Sequence, residues 1–148
     1  MNIQLQPYTD KDKVWLEELR RAAYLDLFIA TWGGWDENRH QRHWASCIDL
    51  GNISIIKLDG VSVGMVQVTA EDESVEIDEI QILPEFQERG VGTQVLTKII
   101  EDAHSKRYSV TLSAGNKNSR AIALYQSIGF KLKEETDAKV YFEFPPIT

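Results

Sequence analysis

Gln87 to Thr93, reading Gln-Glu-Arg-Gly-Val-Gly-Thr, holds the residues whose types and spacing best suit chemistry. Gly90 and Gly92 bring backbone N–H groups within reach of a bulky anion, because no Cβ stands in the way. Val91, Val95, Leu96, Ile99, Ile100 and Ala103 then recur at helical spacing. A helix that starts at these glycines presents unpaired N–H groups and the positive end of its macrodipole, which suits a phosphate. A loop whose glycines only ease a turn is the alternative that the heptapeptide leaves open.

Other reactive side chains have less behind them. Cys47 is the one cysteine; no nucleophile motif surrounds it, and it reads as a buried structural thiol. His40 and His43 have helical ligand spacing, but no carboxylate motif accompanies them, so no metal is expected. The run Arg39-His-Gln-Arg-His43 reads as mostly a solvated helix face. Trp32 and Trp35 flank Gly33-Gly34, either lining a substrate pocket or joining Trp44 in a small core where two helices meet.

Composition bounds the classes. A chain of 148 residues with 43% hydrophobic and 26% charged content predicts one soluble globular domain over residues 1–148. The net charge of -7 and the lack of a basic stripe argue against nucleic acid. No apolar run is long enough for a membrane span, no leader is visible at the N-terminus, and a lone cysteine suits a reducing compartment. The expectation is a cytoplasmic protein.

These groups need elements to position them. A short strand at Ile3–Leu5 ends at Pro7, and Thr9–Asp12 offers caps for a helix reaching Ala30. Asp36 caps a second helix over residues 37–48 that ends near Gly51. Strands follow at 53–56 and 61–68 around the Asp59-Gly60 hairpin signal, with Gly64 marking a bulge or a close approach. After a turn at 70–74 comes a strand over 75–83, then the glycine loop and its helix. A strand at 108–112 leads to a helix over 120–128, capped by Asn118 or Ser119 and stopped by Gly129. Two closing strands cover 130–134 and 140–144. The order predicts one mixed α/β sheet with helices on its faces.

Two motifs at a definite distance now combine: Gln87-Glu-Arg-Gly90-Val-Gly92, and Asn118-Ser-Arg-Ala121-Ile-Ala-Leu124-Tyr125-Gln-Ser-Ile-Gly129-Phe130. Together they resemble the GCN5-related N-acetyltransferase (GNAT) superfamily, and the element order matches that fold over nearly the whole chain. The resemblance implies a mixed α+β sheet splayed between two parallel central strands, with acetyl-CoA in the opening. It implies that backbone at Gln81, Ile82 and Leu83 pairs with the pantetheine arm. N–H groups from Glu88, Arg89, Gly90, Val91, Gly92 and Thr93 then cradle the pyrophosphate behind Gln87, and Asn118 bonds the arm. So few basic side chains are needed that net acidity is no objection.

The same resemblance gives Tyr125 the role of acid toward the departing CoA thiolate, a job that suits a phenol with a pKa near 10. Transfer to an amine also needs a base. Glu76 matches the catalytic glutamate of the family's histone acetyltransferases, while Glu79 lies nearer the expected thioester. Glu76 and Asp78 share one face of their strand and Glu79 takes the other. Some ribosomal-protein acetyltransferases carry a glutamate where this chain has Ser113, which argues against that specificity. The implied activity is acetyl-CoA-dependent N-acetylation of a primary amine on a small molecule or peptide by direct attack, without metal. The rival is a retired enzyme that serves as a CoA- or acyl-CoA-binding sensor. The acceptor is expected between the region of Trp32 and Trp35, the hairpin around Asp59-Gly60 and the C-terminal strands, and the Val140–Phe144 edge suits pairing in a homodimer.

Overall fold

The computed structural model describes residues 2–147. Its elements run β1 (Ile3–Pro7), α1 (Lys13–Trp32), α2 (Glu37–Leu50), β2 (Ile53–Leu58), β3 (Val61–Glu71), β4 (Ser74–Ile82), α3 (Val91–Ser105), β5 (Ser109–Gly115), α4 (Ser119–Ile128), β6 (Lys131–Glu135) and β7 (Lys139–Phe144). The seven strands form one sheet in the order β1-β2-β3-β4-β5-β7-β6. β4 and β5 are the parallel pair, in register from Ser74↔Ser109 to Ile77↔Leu112, while β4 itself continues to Ile82. The expected mixed sheet with its parallel central pair is present. Most ends fall within a few residues of their sequence signals.

Contacts divide the chain into two compact units. The first contains the chain through Gln67 together with Glu79–Arg89. Its core joins Leu16 and Leu19 of α1, Trp44 and Cys47 of α2, and Ile53, Ile55 and Met65 of β2 and β3. Tyr8, Trp15 and Leu83 pack against that cluster. Asp36 caps α2 by accepting from the Arg39 N–H at 3.0 Å. The β2–β3 turn places Asp59 at φ 49° and Gly60 at φ 84°, the left-handed pair that a twisted two-residue hairpin requires. Gly64 is a close approach: a Cβ there would stand 2.3 Å from the Gln81 carbonyl oxygen.

The second unit contains Val68–Asp78 and the chain from Gly90 onward. Val110, Leu112 and Ala114 alternate inward along β5. Phe130 and Phe142 flank Tyr125 edge-on, each at 6.0 Å between centroids. One expectation is overturned in this unit. The Val140–Phe144 strand is not an edge, because β7 pairs with β5 on one side and β6 on the other. The edge is β6, whose exposed Lys-Leu-Lys-Glu-Glu sequence carries charges that discourage strand addition.

Candidate active site

The glycine loop is built as its residue types demand. Glu88 (φ 63°) and Gly90 (φ 83°) both take left-handed backbone, and α3 starts directly after Gly90. Gly90 makes no side-chain cap, so nothing at the N-cap competes for the first N–H groups of a 15-residue helix. Gly92 has a second reason to be glycine, because a Cβ there would stand 3.2 Å from Leu124 Cδ2 on α4. Helix packing by itself therefore demands glycine at this position. Gln87 folds back, its amide donating to the Ile82 carbonyl at 3.0 Å.

That contact and one other narrow the expected pantetheine strand. The Leu83 N–H donates to Val63 at 2.8 Å and is not free for a ligand. Ile82 already spends one carbonyl lone pair on Gln87. Asn118 fulfils the cap role, its side chain accepting from the Ala121 N–H at 3.2 Å. Tyr125 is buried on α4.

The carboxylates separate as the strand period requires. Glu76 is exposed, in a hollow of about 190 Å³ shared with Thr69, Glu71, Asp72, Ser74 and Thr111. Asp78 accepts from the Thr69 hydroxyl at 2.7 Å. Glu79 is buried and forms the centre of a polar cluster inside the first unit. Tyr24 Oη donates to its Oε2 at 2.5 Å, and the Gln81 amide donates to the same oxygen. His43 Nε2 lies 2.7 Å from Oε1, and Arg20 Nη1 3.7 Å from Oε2. Burial alone raises the Glu79 carboxyl, but the His43 hydrogen bond and the Arg20 charge outweigh it and hold it below its usual 4.5.

Arg20 organises the cluster. It is fully buried, with Nη2 3.0 Å from His43 Nδ1 and Nη1 3.8 Å from Cys47 Sγ. Its guanidinium lies over the Tyr24 and Trp44 rings at 5.4 and 5.3 Å. Cys47 is the buried structural thiol expected, donating to Gln67 Oε1 at 3.0 Å.

Residues 39–43 are mostly the solvated face expected: Arg39, Gln41, Arg42 and His43 are exposed, and His40 is the exception. His40 is fully buried beneath Trp35, 5.2 Å between rings, and His43 turns to Glu79. The tryptophans divide. Trp44 joins the core, while Trp35 stacks on Phe28 at 4.5 Å and Trp32 receives Arg39 on its face at 4.0 Å. Trp32 and Trp35 line an open hollow of about 480 Å³ with Gly33, Gly34, Asp36, Glu37 and Asn38. Arg20, Tyr24 and His43 carried no sequence signal beyond their helical positions. A fully buried arginine on a helix could be seen only once its partners were placed.

Residues 13–130 match the model of the Acetyltransferase (GNAT) family. This chain is a member of the GNAT acetyltransferase family. Among curated relatives it is 29% identical to an uncharacterized N-acetyltransferase of Methanocaldococcus jannaschii, over 75% of this chain and 56% of that one. The chain thus spans little more than half the length of that relative. An uncharacterized N-acetyltransferase of Archaeoglobus fulgidus is 27% identical, over 74% of this chain and 90% of the other. The PaiA N-acetyltransferase of Thermoplasma acidophilum, solved in complex with coenzyme A, shares the fold at a TM-score of 0.75 and 15% identity, covering 97% and 98% of the two chains. The GNAT match takes in both motifs, and it takes in Arg20, Tyr24 and His43, which neither motif contains. Among the described residues no helix is long and apolar enough to cross a membrane.

Proposed function

We propose that this GNAT member is an acetyl-CoA-dependent N-acetyltransferase that passes acetyl directly to a primary amine of a small molecule or peptide. The observation that carries the reading is the start of α3. Left-handed Glu88 and Gly90 deliver the chain into a long helix that has no side-chain N-cap, an anion seat made of backbone. In this reading N–H groups from Glu88 to Thr93 hold the pyrophosphate of acetyl-CoA, and backbone at Gln81 and Ile82 pairs with its pantetheine arm. Asn118 bonds that arm and caps α4 as well.

The amine nitrogen attacks the thioester carbon, and no acyl-enzyme forms. Tyr125 protonates the leaving thiolate, since a phenol stays protonated at neutral pH and can yield its proton to developing negative charge. Glu79 is the base: it is a buried carboxylate kept ionised by its donors. Glu76 belongs to an acidic surface that favours a cationic acceptor, and Trp32 and Trp35 face that acceptor. The coenzyme A complex of the Thermoplasma acidophilum protein, on the same fold, supports the choice of donor.

An amine panel with radiolabelled acetyl-CoA tests the reading. Transfer to at least one amine, lost in Tyr125→Phe and Glu79→Gln and kept in Glu76→Gln, is the expected pattern. Tight coenzyme A binding without transfer to any amine would instead identify a sensor.

A further inference from the structure

Glu79 has no open route to an amine. Its side chain is 8% exposed, with Oε1 turned to His43 and Oε2 shared by Tyr24, Gln81 and Arg20. A proton can reach it only through a neighbour that gains one as it loses another. The Gln81 amide and the Arg20 guanidinium are donors that do not exchange protons in this way at neutral pH. His43 has the right chemistry in principle, but its Nδ1 already receives Arg20 at 3.0 Å. Tyr24 remains. Its hydroxyl gives its hydrogen to Oε2 and keeps oxygen lone pairs, on a half-buried side chain held between Arg20 and the His43 ring, 5.9 Å between the Tyr24 and His43 centroids.

We propose that Tyr24 is a catalytic residue, a shuttle whose hydroxyl takes the proton of the attacking amine and hands its own to Glu79. The inference rests on the acetyl-transfer reading above. As the amine nitrogen bonds to the thioester carbon it becomes cationic and acidic. One N–H bond breaks while an O–H bond forms at Tyr24 Oη; the original Tyr24 O–H breaks and its proton moves to Glu79 Oε2. Collapse expels the CoA thiolate, which takes a proton from Tyr125 and leaves the amide and CoA thiol. Water then restores Tyr125, and the Glu79 proton leaves by the reverse relay, passing from Oε2 to Tyr24 Oη as the Tyr24 hydrogen goes to water. Burial, with the Glu79 charge adding to it, pushes the Tyr24 phenol well above its usual 10, so the hydroxyl yields a proton only as it gains one. The depressed Glu79 carboxyl sheds its proton readily at neutral pH.

Single-turnover acetyl transfer in mixtures of light and heavy water is the test, using an amine that the wild type acetylates. Two protons in flight give a curved proton inventory. Tyr24→Phe lowers the rate by about 10²-fold with acetyl-CoA binding unchanged. The Tyr24→Phe/Glu79→Gln double variant is no slower than the slower single, because the two act as a unit. A linear inventory, a Tyr24→Phe rate within about threefold of wild type, or additive losses overturn the shuttle alone. A wild type that acetylates no amine overturns the parent reading with it. The inventory needs only the natural chain, so it decides the matter even if Tyr24→Phe does not fold.

Discussion

Arg20 Nη2 lies 3.0 Å from His43 Nδ1, and this contact decides where the imidazole carries its proton. A guanidinium has donors and no acceptor, so Nδ1 must receive. The hydrogen therefore sits on Nε2, aimed at Glu79 Oε1 2.7 Å away. One buried cation, one neutral ring and one carboxylate form a chain with a single direction of donation.

That direction can be read by NMR. Nitrogen-15 shifts of His43 at pH 7.5 are expected to report the Nε2–H form, and Arg20→Met should release the ring into a tautomer mixture. A wild-type ring found as Nδ1–H, or doubly protonated, contradicts the arrangement.

Acid should weaken the fold in two stages. Burial first, and Arg20 second, push the His40 imidazole below its usual 6.5, and neither ring nitrogen has a hydrogen-bond partner. Glu79 sits below its usual 4.5. For each group the unfolded chain binds a proton before the folded one, so stability is complete above both usual values and is lost on acidification. Urea midpoints are expected to fall below about pH 6.5 through His40 and again below about pH 4.5 through Glu79, with Glu37, held low by Arg21, adding to the second stage. His40→Leu should abolish the first stage and cost less than about 1 kcal/mol at pH 8, because it removes unpaired buried polar atoms. A wild-type midpoint that stays flat from pH 8 to pH 5 contradicts the assignment.

Two glycine substitutions separate space from backbone freedom. Gly64→Ala drives a Cβ to 2.3 Å from the Gln81 carbonyl, which is backbone and cannot rotate away. Its cost is expected to reach about 3 kcal/mol or more, as for severe overpacking. Gly115→Ala meets nothing within 4 Å and has ordinary φ, so a change of at most about 0.5 kcal/mol is expected. Chemical denaturation of both variants checks the contrast.

At Asn118 the observed α4 cap and the proposed bond to the pantetheine arm are separable. Asn118→Ala removes the α4 cap and should cost about 1 kcal/mol. Asn118→Ser restores a cap but shortens the side chain, so it should regain stability without regaining full acetyl-CoA affinity. Calorimetric titration beside thermal unfolding distinguishes the two, and full recovery of both by serine would reduce Asn118 to a cap.

Much of the scaffold was legible because its signals are local. Asp59-Gly60 fixes a hairpin, Asp36 and Asn118 fix helix starts, and Gly129 stops α4 through left-handed backbone at φ 119°. Each acts on neighbours within a few residues, and sequence order preserves that information. The Val140–Phe144 strand shows where such reading stops. Its alternating pattern marks a strand, but whether both sides are paired depends on where β6 returns.

The sequence by itself determined the family, the element order, the glycine loop with its uncapped helix, and the alternation that puts Glu79 opposite Glu76. Local backbone preference and side-chain period suffice for these. Tertiary structure alone decided that Glu79 is enclosed by Arg20, Tyr24 and His43, groups brought together from two helices and a strand far apart in sequence. It also buried His40 on a helix face that is otherwise solvated, and it set the half-exposed His43 against Glu79. Enclosing a charged carboxylate is tolerable only when donors converge on it from several elements at once, and no local pattern encodes that convergence.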